Sequence, residues 1–332
     1  MIWSIQALRF FAALMIVYIH AAQTAISVTG SNGFIPHSVA TVGLSGVDIF
    51  FVISGLIIAK IAPGRIPSEF ISSRIRRIVP LYLLFTAPPL ATAIGITGFG
   101  WRDAVATFLL WPATDQMTAP VLAVGWTLCF EMLFYASAAL VLIERRWAYV
   151  IFGAYGIAFL LRSISPIFQF LGNPIILEFL FGVAISFAPR WRQGVWGVPI
   201  GAILLVAAGF IEIAPMGGTM DFLLGRDGLQ RVLVFGIPAA LIVYGTSQLQ
   251  ARESVWTYLG DASYSLYLSH IFPLTILLAL WMKFPIRPDL IILIGISAAL
   301  LFAWRIHERI EKPIMAALKR EQRTRRTPVD VS

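Results

Sequence analysis

Arg9 and His20 are the residues of this chain best placed to do chemistry. Both lie in the first long apolar run, from about Ile5 to Ala25, and eleven positions separate them. On an α-helix that is close to three turns, so both point from one face, about 16 Å apart along the axis. Arg9 alone could snorkel to the near interface, and His20 alone could cap a polar patch. A cation and an imidazole in line across most of a bilayer point instead to a site, because intramembrane ionisable groups are costly and tend to be functional.

Further charged and polar groups recur in later apolar runs. Asp48 stands in Gly46-Val47-Asp48-Ile49-Phe50-Phe51-Val52-Ile53-Ser54-Gly55 and needs a partner; Arg9 and His20 are the nearest basic residues in sequence. A structural hydrogen bond would serve Asp48 equally well, and Ser54 and Gly55 read as close-packing residues. Arg74 and Arg77 share a helical face if the third helix begins there, and two guanidiniums suit a multiply charged phosphate ligand. Ordinary topology would also place them at a cytoplasmic edge. Glu131 lies deep in an apolar helix with Tyr135 one turn later. Such an acid can orient an imidazole or act as a base, or can be purely structural. Ser263, Tyr267 and His270 fall on one face of the ninth run, and His270 reads as ordering the site or contacting ligand. Glu178, His307, Glu308 and Glu311 are weaker candidates, and His37 is expected in an exposed outer loop. Metal and haem readings fail: no His-x-x-x-His or Glu-x-x-His spacing occurs, and Cys129 is a lone cysteine. There is no Walker-type glycine loop.

The elements that must position these groups are membrane helices. The chain has 332 residues, of which 58% are hydrophobic and 13% charged, with mean hydropathy +0.83. That is far too apolar for a soluble domain. The net charge of +8 does not imply nucleic-acid binding, because the basic residues sit in short loops between apolar runs. Runs begin near Ile5, Val42, Ile78, Val121, Ala148, Ile167, Val195, Arg231, Ala262 and Leu290, which predicts an all-α polytopic bundle of about ten helices over 1–318. Ala148 to Leu161 is short, and Ala104 to Trp111 reads as interfacial or re-entrant. One set of loops and the C-terminal segment carry 18 Lys and Arg, and the other set, with Arg102, Arg162, Arg226, Arg231, Lys283 and Arg287, carries 6. The positive-inside rule puts both termini in the cytoplasm, with 319–332 as a basic tail at the anionic inner leaflet. No cleavable signal peptide is expected.

Taken together these motifs resemble acyltransferase family 3, integral-membrane acyltransferases. Arg9 and His20 match its first-helix Arg-to-His pair, Gly46 to Gly55 its second-helix signature, and Arg74 and Arg77 its Arg-x-x-Arg. Trp126 to Tyr135, the ninth-run Tyr264-Ser265-Leu266-Tyr267-Leu268-Ser269-His270 and the closing Glu311-Lys312-Pro313 also fit. Each motif is weak alone; the ordered set is specific, and its look is nearest to rhizobial exopolysaccharide acetyltransferases. The resemblance implies O-acetylation of a sugar hydroxyl from cytoplasmic acetyl-CoA (acyl-CoA) as co-substrate, in a bacterial inner membrane. The acceptor would be an exopolysaccharide or lipid-linked glycan precursor, handled beside polysaccharide-synthesis machinery. His20 is then the expected base, or a transient acyl carrier, with Glu131 orienting it and Asp48 a weaker candidate for that role. Arg9, Arg74, Arg77, Trp126, Tyr135, Tyr267 and His270 are the expected substrate and acyl-CoA contacts. Buried Arg, His, Asp and Glu would equally serve a transporter or flippase relay; no inverted repeat is visible to support that alternative.

Overall fold

The computed structural model describes residues 2–210, 218–284 and 286–326. Among them the regular structure is helical, apart from an isolated β-bridge between Ala113 and Met117. The helices that matter here are α1 (Trp3–Thr29), α2 (His37–Ile61), α3 (Pro67–Thr97), α4 (Trp101–Phe108), α5 (Ala123–Ile143), α6 (Trp147–Leu160), α7 (Pro166–Phe187), α8 (Arg192–Phe210), α9 (Gly228–Gln248), α10 (Val255–Asp261), α11 (Ser263–Ser269), α12 (Ile271–Trp281) and α13 (Pro288–Leu318). Eight of these are long and apolar enough to cross a membrane, and α11 with α12 makes a ninth if the bent pair is one span. The tenth apolar run, α6, has 14 residues, about 21 Å of helix, against a hydrocarbon core of about 30 Å. The short α4 does not span, and His37 is exposed. Helix continues from Lys312 to Arg326 into the basic tail; residues 327–332 lie outside the described residues.

The first helix sits at the centre and packs against α2, α9, α10, α11, α12 and α13. That position explains its run of buried alanines, Ala12, Ala13, Ala21, Ala22 and Ala25: small side chains let neighbouring helices approach where lipid supplies no hydrophobic driving force between them. A very tight crossing joins α2 to α7. A Cβ on Gly55 would lie 2.0 Å from the Phe179 carbonyl oxygen, and one on Gly182 2.0 Å from that of Val52. Gly55 is therefore a close-packing residue, as its sequence context suggests.

Three departures from the sequence reading bear on function. The third helix begins at Pro67, with proline in its first turn, so Arg74 and Arg77 lie inside a helix one turn apart. The ninth run bends by 40° at His270. Pro273 lacks the N–H that would bond the Ser269 carbonyl, so the helix breaks there. Finally, Arg231 is no loop residue: it is buried at 2% exposure inside the α9 segment and begins a turn that widens into π-helix over Val232–Gly236.

Candidate active site

The structure builds two polar cavities, one around Arg9 and one around His20. The first encloses about 840 Å³ with its mouth, and Arg9, Ser54, Arg74, Arg77, Glu131 and Tyr135 are among its lining. Arg9 and Arg77 make no hydrogen bond or ion pair among the described residues, and Arg74 Nε reaches only Ser73 Oγ, at 3.4 Å. Glu131, the one carboxylate, is already engaged: Tyr135 donates to its Oε1, and Ser54 Oγ donates to the same oxygen at 3.2 Å. Three guanidiniums thus face one carboxylate and leave two positive charges with unused N–H donors. A partly desolvated arrangement of this kind suits a polyanion. Ser54, read from sequence as a packing residue, belongs to this site.

The second cavity, of about 760 Å³, is lined by His20, Gln23, Trp126, Phe222, Arg231 and Tyr267 among others. It holds a pair of histidines. His270 is fully buried, and its Nε2 lies 3.0 Å from His20 Nδ1. Each ring also places Nδ1 near the carbonyl one turn back: His20 beside Ile16 at 3.0 Å, His270 beside Leu266 at 3.1 Å. A carbonyl oxygen only accepts, so both Nδ1 atoms carry the hydrogen. The one hydrogen on His20 Nδ1 is then shared between the Ile16 carbonyl and His270 Nε2, and His20 Nε2 is left with a free lone pair. That is the tautomer a general base requires, with a second ring orienting the first as the carboxylate does in a Ser-His-Asp triad.

The expected geometry needs two corrections. Glu131 does not meet His20; it sits in the arginine cavity, and His270 takes the orienting position. Asp48 meets neither Arg9 nor His20. It receives a bidentate pair from Arg231, Nε at 2.9 Å and Nη2 at 2.7 Å, with Arg231 also stacked 4.4 Å over Phe222. Glu178 packs beside Asp48. The 183 positions between Asp48 and Arg231 hide that pairing from sequence reasoning; an arginine heading an apolar run was the available signal. Trp126 lines the histidine cavity rather than the arginine cavity and stacks near Phe222, with centroids 5.1 Å apart. Tyr267 lines both cavities. Its hydroxyl donates to the Val124 carbonyl at 2.8 Å and contacts Thr127 Oγ1 at 2.7 Å, which fixes it in the wall between them.

A third buried network ties α11 to the final helix. Ser265 Oγ donates to Glu311 Oε2 at 2.6 Å, and His307 Nδ1 lies 2.7 Å from the same oxygen. This anchors the segment that carries Tyr267 and His270.

Residues 2–308 match the model of a family described as an acyltransferase domain, acyltransferase family 3. The chain belongs to that family. It is a multi-pass membrane acyltransferase. The chain is 31% identical to the exopolysaccharide production protein ExoZ of Rhizobium meliloti (strain 1021), over 83% of this chain and 90% of that protein. It is 26% identical to the acyltransferase MdmB of Streptomyces mycarofaciens, over 80% of this chain and 77% of that protein. No solved structure matches at a significant level.

Proposed function

We propose that this acyltransferase moves an acetyl group from cytoplasmic acetyl-CoA to a hydroxyl of an exopolysaccharide or lipid-linked glycan precursor, in the bacterial inner membrane. The observation that carries this reading is the division of one bundle into an arginine cavity and a histidine cavity that share Tyr267 as a wall. Arg9, Arg74 and Arg77 suit the phosphates of a coenzyme A thioester, and the positive-inside count supports a cytoplasmic position for Arg74 and Arg77. Arg9 and His20 lie about 16 Å apart on one helix face, so a long pantetheine arm held at Arg9 can extend toward the imidazole. The likeness to a protein named for exopolysaccharide production supports a glycan acceptor.

In this mechanism the sugar oxygen attacks the thioester carbonyl carbon while His20 Nε2 takes its proton. The His20 imidazolium so formed is held by the Nδ1 hydrogen bond to His270. Collapse of the tetrahedral centre breaks the C–S bond, and His20 returns the proton to the departing thiolate. The net change is one ester formed and one thioester consumed. Base catalysis of this kind contributes about 10²–10⁴-fold.

Purified protein in nanodiscs with radiolabelled acetyl-CoA and a glycan-bearing membrane fraction tests the reading. Wild type should transfer label to the glycan, and His20→Ala should not. Equal transfer by the two would remove His20 from the chemistry. Absence of any acetyl-CoA turnover by wild type would remove acetyl-CoA as donor.

A further inference from the structure

Beyond His20, the first helix continues as a polar strip. His20, Gln23, Thr24 and Ser27 recur at the three-and-four spacing of one helical face, and Thr275 on α12 faces them across a groove of about 520 Å³. Gln23, Ser27 and Thr275 are exposed, although both helices run through the apolar part of the chain. Polar side chains turned to hydrocarbon are costly, so this groove is built for water or a polar ligand. It runs from His20 to Ser27, seven residues and about 10 Å along the axis, toward the end of α1 remote from Arg9.

The hydrogen-bonding character of the strip identifies the ligand class. Thr24 Oγ1 donates to the His20 carbonyl at 2.9 Å, Ser27 Oγ to that of Thr24 at 2.8 Å, and Thr275 Oγ1 to that of Ile271 at 2.9 Å. Their hydrogens are used within their own helices, so these hydroxyls offer lone pairs outward. Gln23 is different: its amide has no partner among the described residues and presents both N–H donors and a carbonyl. It lines this groove and the His20 cavity alike. The groove contains no fixed cation, since Arg231 is committed to Asp48, so an anion is a poor fit. Acceptors along one wall and a donor–acceptor amide at its head match a row of hydroxyls, each able to give and take a hydrogen bond. The Trp126 and Phe222 rings in the adjoining cavity supply an apolar face for a pyranose.

We propose that this strip is the acceptor subsite, which takes a polyhydroxylated saccharide, and that Gln23 is its specificity-determining residue. The proposal rests on the acetyl-transfer reading above. It places the acceptor on the side of Tyr267 opposite the arginine cavity, with one sugar hydroxyl beside His20 Nε2.

The test uses the full chain in nanodiscs with [14C]acetyl-CoA and, as acceptor, the glycan-bearing membrane fraction of a strain lacking this protein. Gln23→Ala should raise the acceptor concentration for half-maximal transfer about tenfold, the change expected for one lost ligand hydrogen bond, while the KM for acetyl-CoA moves less than about twofold. Thr275→Leu should shift the acceptor term in the same direction. If Gln23→Ala lowers kcat with the acceptor term unchanged, Gln23 acts through His20 or the fold and the proposal fails. Should wild type not turn over acetyl-CoA at all, the acetyl-transfer reading fails, and the strip is judged separately. In sealed vesicles, Gln23→Cys on a Cys129→Ser background should react with a membrane-impermeant maleimide, and the glycan fraction should slow that reaction several-fold. An unreactive or unprotected thiol at that position overturns the subsite.

Discussion

His270 Nε2 lies 3.0 Å from His20 Nδ1, on the side of the ring away from His20 Nε2, which has no hydrogen-bond partner among the described residues. The two residues are 250 positions apart. They meet because the chain bends at His270, where Pro273 has no N–H to bond the Ser269 carbonyl four residues back. In the proposed mechanism this contact makes His270 a positioning residue for the transfer step. His270→Ala should lower kcat by more than about tenfold and leave the KM for acetyl-CoA unchanged, because orientation of the base counts only in the transition state. Steady-state kinetics at saturating acetyl-CoA check it; an unchanged kcat would detach His270 from the chemistry.

The base must be unprotonated to take the hydroxyl proton. Transfer should therefore decline as pH falls and His20 becomes an imidazolium, and the acid limb of the kcat profile should move when His270 is replaced by Asn. A pH profile of wild type beside His270→Asn measures this, and coincident acid limbs would count against the histidine pair.

Arg77 contributes charge and N–H donors to the arginine cavity without touching the histidines. Arg77→Ala should raise the KM for acetyl-CoA more than it lowers kcat, since it removes binding shared by ground and transition states. Increasing salt should mimic part of this effect. A loss confined to kcat would assign Arg77 to the reaction centre.

The Asp48–Arg231 pair is buried, at 0% and 3% side-chain exposure respectively. Removing one partner strands the other's charge, so Asp48→Leu or Arg231→Met should each cost about 3–5 kcal/mol of stability. Joint replacement should recover much of that loss. One guanidinium cannot neutralise both Asp48 and Glu178, so Glu178→Gln should be tolerated far better than Asp48→Leu. Thermal unfolding in detergent reads all four variants; a Glu178→Gln variant as unstable as Asp48→Leu would contradict this charge assignment.

Gly55 and Gly182 occupy a backbone-to-backbone crossing. Alanine at either should displace α7 from α2 and lower the yield of folded protein, because the added carbon would lie 2.0 Å from a carbonyl oxygen. Size-exclusion chromatography of solubilised Gly182→Ala against wild type is sufficient to see it.

Much of this protein is determined locally and can be read from the chain itself. Apolar runs of bilayer length define the helices, since no other backbone arrangement satisfies its polar groups in lipid. The periodicity of α-helix aligns Arg9 with His20, Arg74 with Arg77 and Glu131 with Tyr135, and the structure keeps each of those alignments. Gln23 follows His20 by the same rule. What the tertiary structure alone decided is which charges answer one another. Asp48 had two nearby cations in sequence and took neither, because α2 packs against the α9 segment where Arg231 is buried. Glu131 lay within reach of a role beside His20 only if α5 approached the middle of α1; it faces the arginine cavity instead, and the bent ninth run delivers His270 to that place. A helix's own faces follow from 3.6 residues per turn, but which face meets which neighbour depends on crossings such as Gly55 with Gly182, and those are set by steric fit between segments more than a hundred residues apart.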